Sequence, residues 1–198
     1  MSGFSDARPA APLRMLFLHH STGGQLLAPP GPDRDRGGCI YDSHSNGGNL
    51  RAELASAGYE VHEASYGSIV ADRTDLFDWS TTFGRHMDRV LKTDNQDATY
   101  ADDRRNHIVV FKSCFPNNDF VDSDAPPPVL TVANAKAALR SLLPYFAAHP
   151  DVLFVYVTAP PLGTVVSREP LAKNLLKRLL GRPTSACLLY TSPSPRDS

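Results

Sequence analysis

The stretch Met15-Leu16-Phe17-Leu18-His19-His20-Ser21-Thr22 decides the fold, because a short apolar run stops abruptly at two histidines and a hydroxyl. Two glycines, Gly23 and Gly24, follow at once. An apolar run that ends at Ser-Thr-Gly-Gly predicts a buried strand emerging into a tight loop. Ligands of open α/β sheets bind outside the carboxyl ends of the strands, so Ser21 lies where a nucleophile would be placed. The competing interpretation is that Ser21 only caps a helix or closes a turn.

Composition indicates one soluble globular domain with a sizeable core, since the chain has 198 residues, 41% of them hydrophobic and 21% charged. The formal net charge of -1 gives no electrostatic reason to expect nucleic acid or a membrane surface as a partner. No apolar stretch approaches the ~18–20 residues that span a bilayer. The N-terminus has no apolar signal region, so a cytoplasmic protein is expected.

The cysteines Cys39, Cys114 and Cys187 are widely spaced and form no Cys-x-x-Cys pair. They predict neither a disulfide framework nor a zinc site, and we expect no metal or cofactor. Asp72, Asp75 and Asp78 lie at helical spacing, but without a glycine-punctuated loop they favour solvated or capping roles over a metal site. Cys114 is expected to be a small buried hydrophobe rather than the nucleophile.

The C-terminal end is expected to be foreign to the fold. Leu188 to Ser198 resembles the peptide produced when a sequencing adapter is translated at the broken end of an assembled gene. The alternative is a genuine disordered Ser/Pro tail. We therefore expect residues 1–184 to form the domain, incomplete at its C-terminus, and residues 185–198 to be a non-native disordered tail.

Strands and helices alternate along the chain, which predicts βαβ units and a three-layer αβα sandwich of flavodoxin-like architecture with a parallel sheet. After the first strand, further strands are predicted at Tyr59–Ala64, His107–Phe111 and Asp151–Thr158. Helices are predicted at Asn49–Ala57, Thr81–Leu91, Val132–Ala147 with a break at Pro144, and Glu169–Leu180. The segments Ala28–Gly38 and Thr93–Asn106 are expected to be a loop near the site and an exposed connection.

Three of the predicted strands end in residues suited to acyl transfer, which needs a nucleophile, oxyanion donors and a base. Ser21 follows the first strand, Gly67 the second, and the pair Asn117-Asn118 the third. A glycine lets its backbone N–H approach a developing oxyanion without a Cβ in the way. An asparagine amide can supply a further donor.

This order of parts resembles the SGNH (GDSL-like) hydrolase superfamily. The resemblance covers Leu13 to Pro161 through Phe-Leu-His-His-Ser-Thr-Gly, Ser-Tyr-Gly and Phe-Lys-Ser-Cys-Phe-Pro-Asn. It implies that Ser21 is the nucleophile, with its own N–H, Gly67 and Asn117 as oxyanion donors. It also implies hydrolysis of a small-molecule ester, an acyl or acetyl ester with carbohydrate-linked esters among the candidates, without a cofactor.

Two of the family's motifs depart from the pattern and one is absent. In the first motif, Gly-Asp does not precede Ser21. In the third motif, Pro116 stands where Gly would align if Asn118-Asp119 were the matching pair. Asn117 is therefore preferred as the oxyanion donor, and Asn118 is the alternative. The fifth block, Asp-x-x-His, does not occur. The general base is therefore expected in a missing C-terminal part, and the given chain is expected to turn over little or no ester.

The histidines present do not replace that base. His149 precedes a predicted strand and His107 begins one, so both belong to the opposite edge of the sheet. His62 lies within a strand. His44 lies in a loop after Asp42 and could reach the site, but nothing fixes it there. Alternation along a strand sends His19 and His20 to opposite faces, and His20, next to the loop, is the one expected to shape the site.

Two rival functions remain open. A non-catalytic small-molecule or carbohydrate-binding module on the same fold would explain the missing Gly-Asp before Ser21. A flavodoxin-like phosphate- or nucleotide-binding protein is disfavoured, because Gly23-Gly24 lacks the surroundings of a phosphate loop.

Overall fold

A single sheet organises the part of the chain described by the computed structural model, residues 7–159. Its strands are β1 (Leu13–Leu18), β2 (Tyr59–Ala64), β3 (Thr93–Asn95), β4 (Ala98–Thr99), β5 (Ile108–Lys112) and β6 (Leu153–Val157). Their order is β4-β3-β2-β1-β5-β6, and only the β3–β4 pair is antiparallel. The predicted helix Glu169–Leu180 and the tail 185–198 lie outside the described residues.

Helices connect the strands, which confirms the predicted α/β class with a mostly parallel sheet. They are α1 (Thr22–Leu27), α2 (Leu50–Ser56), α3 (Trp79–Lys92), α4 (Val132–Arg140) and α5 (Leu143–Ala147), with a 3₁₀ turn at Phe115–Asn118. The break expected in the helix over 132–147 is present, slightly before Pro144: α4 ends at Arg140, and Pro144 occupies the first turn of α5.

The hydrophobic core lies on one face of the sheet, where alternate residues of β1 and β5 meet α3. Leu16 and Leu18 are fully buried there beside Phe111, and all three belong to one cluster with Trp79 and Phe83. The ring centroids of Phe83 and Phe111 lie 5.0 Å apart in an edge-to-face arrangement. Such aromatic pairs contribute roughly 0.5–1.5 kcal/mol beyond the area they bury.

The segment Thr93–Asn106 was expected to be an exposed connection, and it is only partly that. Most of its residues are exposed, but it contains the short strands β3 and β4, and Asn106 at its end is 1% exposed. Its amide donates to the carbonyls of Val90 (3.0 Å) and Thr93 (2.9 Å) and accepts a hydrogen bond from the Tyr100 hydroxyl at 2.8 Å. The polar sequence conceals the structure because the buried amide satisfies backbone groups rather than packing against apolar ones.

A tight loop was also expected after Ser21, but the glycines lie inside α1. A Cβ on Gly23 would stand 2.3 Å from the Cβ of His19, and one on Gly24 would stand 1.9 Å from the Cys39 carbonyl oxygen. These glycines therefore allow α1 to pack against its neighbours at a distance that a side chain would prevent.

The strand order places a crevice at the carboxyl end of β1. Leu18 pairs with Ala64 of β2 on one side and with Phe111 of β5 on the other, so the three strands end at the same level. The chain leaves β1 toward β2 and later crosses to β5, so the direction of winding reverses between β1 and β5. In open parallel sheets such a reversal is where ligands bind.

Candidate functional site

Ser21 occupies a strained backbone position between β1 and α1. Its φ of 39° and ψ of -100° are uncommon for a residue with a side chain, and such positions cost roughly 1–3 kcal/mol. Ser21 stands at the N-cap of α1, yet its side chain makes no capping hydrogen bond. The helix-cap interpretation therefore does not explain this serine, whose side chain remains available for another role.

Tyr66 is the side chain that contacts the Ser21 hydroxyl. Burial raises the pKa of the Tyr66 phenol, and a hydrogen bond from Ser21 opposes that shift. The Tyr66 ring also stacks on His20, with centroids 3.4 Å apart and an interplanar angle of 22°. Sequence reasoning gave Tyr66 no role, although it stands in the Ser-Tyr-Gly stretch that ends β2. Its raised pKa keeps the phenol protonated, so it orients Ser21 rather than acting as a base.

His20 is buried and fully engaged. Its Nε2 lies 2.7 Å from the Ala71 carbonyl oxygen and its Nδ1 lies 3.0 Å from the Thr74 hydroxyl oxygen. A carbonyl only accepts, so Nε2 carries the proton and Nδ1 accepts from Thr74. Burial lowers the pKa of His20, which is therefore neutral at pH 7. With both nitrogens occupied, His20 supports the Tyr66 ring and is not a free general base.

The predicted oxyanion donor Gly67 has its N–H occupied. Its φ is +80°, which explains the glycine, and the N–H donates to Asp72 Oδ1 at 2.8 Å. No atom lies within 4 Å of where a Cβ would be, so conformation rather than crowding excludes a side chain. An oxyanion could use this N–H only after displacing the Asp72 carboxylate.

The predicted donor Asn117 is likewise engaged. Its Oδ1 accepts from the Leu76 N–H at 2.7 Å, and its Nδ2 donates to Asp75 Oδ1 at 2.9 Å and to the Cys114 carbonyl at 3.3 Å. The alternative donor, Asn118, donates its amide to the Ala159 carbonyl at 2.6 Å. A reacting ester would have to release Asp75 before Asn117 could bind its oxyanion.

Two of the three aspartates that the sequence places at helical spacing accept hydrogen bonds from the predicted oxyanion donors. Asp72 and Asp75 hold Gly67 and Asn117, whereas Asp78 pairs with Arg73 at 3.0 Å. Sequence reasoning expected solvated or capping roles for these aspartates. It missed the contacts of Asp72 and Asp75 because helical spacing alone says nothing about contacts with another strand end. Within residues 7–159, no three His, Cys, Asp or Glu side chains gather closely enough to hold a metal ion.

His19 lies away from Ser21 in a buried ionic cluster. Its Nε2 is 3.0 Å from Glu63 Oε2, and Glu63 is 3% exposed. Arg51 binds the other oxygen of the same carboxylate. The cluster ties the end of β1 to β2 two residues before Ser21 and so helps to hold the backbone of that segment in place. His44 accepts from the Asn46 N–H at 3.0 Å and makes no contact with Ser21.

A cleft of about 370 Å³ opens between α1 and the carboxyl ends of β5 and β6. Its lining includes Thr22, Leu26, Lys112 and Val157. Lys112 is 2% exposed, and burial lowers the pKa of its ammonium group. Sequence reasoning missed this lysine, since a strand-end lysine is ordinarily exposed.

Comparison of the chain with protein-family models, curated proteins and solved structures gave no match. No helix between residues 7 and 159 has the length and apolarity needed to cross a bilayer.

Proposed function

We propose that the chain is a serine-dependent ester hydrolase with Ser21 as its nucleophile, built on a three-layer, flavodoxin-like αβα fold of the SGNH kind. The observation that supports this proposal best is the placement of Ser21. It stands in a strained conformation at the carboxyl end of the central strand β1, and its hydroxyl contacts Tyr66 instead of capping α1. Strain of this kind concentrates at functional sites, where surrounding structure holds it in place.

In the proposed reaction the Ser21 Oγ attacks the ester carbonyl carbon and releases its proton to solvent water, which forms a tetrahedral intermediate. The intermediate collapses as the bond to the alkoxide oxygen breaks, and that oxygen takes a proton from solvent and leaves as the alcohol. Water then hydrolyses the acyl-serine. The Ser21 N–H, the Gly67 N–H and the Asn117 amide stabilise the oxyanion once Asp72 and Asp75 have moved away. His20 is already engaged through both nitrogens and does not accept the serine proton. Without a base at Ser21, we expect turnover of short esters to be slow.

A second candidate is a binding module that uses the same cleft without catalysis. It is favoured by the occupied donors, since the Gly67 N–H and the Asn117 amide both serve carboxylates of the chain itself. A binding protein needs no free oxyanion donors and no base, so those contacts would be permanent in it.

The decisive experiment reacts the chain with a fluorophosphonate probe and locates the adduct by mass spectrometry. We expect the adduct on Ser21, loss of labelling in Ser21→Ala, and normal labelling in Ser141→Ala, because Ser141 is an exposed residue at the end of α4. Hydrolysis of 4-nitrophenyl acetate should also fall to background in Ser21→Ala. An unlabelled Ser21, with equal hydrolysis by both variants, would favour the binding module.

A further inference from the structure

We infer that the cleft between α1 and the carboxyl ends of β5 and β6 binds a carboxylate group of the substrate, with Lys112 as the cation that recognises it. This inference rests on the proposed function in one respect: the carboxylate belongs to a molecule whose ester reaches Ser21. The site itself is argued from Lys112, Thr22 and the position of the cleft.

Lys112 is a buried cation with little to balance it. Its Nζ donates to the Ser113 carbonyl at 3.2 Å, and within residues 7–159 no carboxylate pairs with it. An ammonium group has three donors, so donors remain beyond the one that Ser113 accepts. Burying an unpaired charge is costly, and a bound anion would remove that cost.

Thr22 supplies an independent sign that the cleft expects a ligand. Its Oγ1 is buried and has no hydrogen-bond partner among residues 7–159, although Thr22 lines the same cleft as Lys112. Buried hydroxyls are nearly always satisfied, so an orphaned one at a cleft indicates a missing partner. A carboxylate can accept from an ammonium and a hydroxyl at once, because each of its oxygens has two lone pairs.

The cleft also lies where the topology favours binding. Lys112 ends β5 and Thr22 begins α1 after β1, so the two residues flank the reversal of winding between those strands. Thr22 directly follows Ser21 in the chain, so one residue of the lining is bonded to the proposed nucleophile. Leu26 and Val157 add apolar wall to the lining.

These features define the ligand chemically. The single ammonium balances one negative charge, the Thr22 hydroxyl fits one oxygen, and the apolar wall suits a short methylene chain. We therefore expect an ester whose acyl part ends in a carboxylate a few carbons from the ester bond. A neutral ester of the same length lacks the group that Lys112 binds.

The test is an NMR titration of the Ser21→Ala chain, which cannot turn over its ligand through Ser21. Monomethyl succinate is the probe, and dimethyl succinate is the neutral control. We expect the monoester to bind about ten-fold or more tightly than the diester, since hydrogen bonds to charged groups are the stronger ones. Introducing Lys112→Met into the Ser21→Ala chain should remove the preference for the monoester over the diester. Introducing Lys136→Met, at an exposed position of α4, should leave that preference unchanged.

Thr22→Val is a second, nearly isosteric variant that can be used if Lys112→Met does not fold. It should lower the affinity for the monoester by several-fold. Equal affinity for the two esters, or an unchanged preference in a folded Lys112→Met, would overturn the proposal. Tighter binding of inorganic phosphate than of the monoester would also reject a carboxylate as the ligand. If the monoester binds through Lys112 while Ser21 proves inert toward fluorophosphonate, the anion site stands and the hydrolase proposal fails.

Discussion

The ring of Tyr66 stacks on the imidazole of His20 with centroids 3.4 Å apart. Through this contact Tyr66, the second residue after β2, packs against the residue that precedes Ser21 in the chain. The hydrogen bond from Ser21 to the Tyr66 phenol closes the arrangement. Because Ala71 and Thr74 hold both nitrogens of His20, the orientation of the whole group depends on a buried imidazole rather than on the exposed surface.

Tyr66→Phe should preserve the stack and remove only the hydrogen bond to Ser21. We expect fluorophosphonate labelling of Ser21 to slow by several-fold, because its hydroxyl loses its orienting partner. Unfolding free energy should fall by about 1 kcal/mol or less, since the bond is partly exposed to water. Tyr59→Phe, at the start of β2, is the control and should label at the parent rate. An unchanged rate in Tyr66→Phe would remove Tyr66 from the site.

His20→Phe tests the buried imidazole. At pH 7.5 we expect a loss of roughly 1–3 kcal/mol in urea unfolding, because the Thr74 hydroxyl and the Ala71 carbonyl lose a buried partner. Since burial lowers the pKa of His20 below the unfolded value of about 6.5, the unfolded chain binds the extra proton first as the pH falls.

Stability of the parent should therefore drop below about pH 6.5, and His20→Phe should show a shallower drop. Part of the slope should persist in the variant, because burial also lowers the pKa of His107. Identical slopes in parent and variant would contradict the burial of a neutral His20.

Lys112→Met should fold at least as stably as the parent. Methionine fills a similar volume without a charge, and each unit by which burial lowers the lysine pKa is about 1.4 kcal/mol of penalty at neutral pH. The folded pKa lies below the unfolded value of about 10.4, so the penalty is greatest at a pH below the folded pKa and shrinks as the pH rises toward 10.4. In denaturant unfolding, the difference in unfolding free energy between Lys112→Met and the parent should be smaller at pH 9.5 than at pH 7. A marked loss of stability at pH 7 would show that Lys112 is paired.

Gly67→Ala and Gly24→Ala should separate conformational strain from collision. Gly67 has a φ of +80° and open space at its Cβ position, so alanine should cost about 1–2 kcal/mol. Gly37, with a φ of +105° and equally open space, is the matched control and should cost a similar amount. Gly24→Ala meets a backbone carbonyl at 1.9 Å and should be the most damaging of the three in thermal unfolding.

Asp72→Ala should free the Gly67 N–H for an oxyanion. If the chain is a hydrolase, turnover of 4-nitrophenyl acetate should rise, by up to about 100-fold, which is the scale of one oxyanion donor. Asp88→Ala, at an exposed position of α3, should leave turnover unchanged. A fall in turnover for Asp72→Ala would show instead that the carboxylate contributes to the reaction.

Much of the framework was predictable from local pattern. The run before Ser21 is a strand, Tyr59–Ala64 is a strand with the expected bounds, and α2 ends just before Gly58 as its sequence indicates. These elements follow from periodicity and breakers, which act over a few residues. Local patterns did not predict the β3–β4 pair, whose strands are short and polar and whose neighbouring Asn106 is a buried amide that binds backbone carbonyls of α3 and β3.

The sequence by itself determined the alternation of strands and helices and the position of Ser21 after the first strand. Tertiary structure alone decided what touches the candidate site. The His19–Glu63 pair joins residues 44 apart, and the Asn117–Asp75 pair joins residues 42 apart. Lys112 is buried because its strand, β5, pairs with β1 in the interior of the sheet. Local sequence patterns indicate which residues of a segment are buried and which are exposed. The contacts between segments depend on strand order and register, which no short stretch of sequence determines.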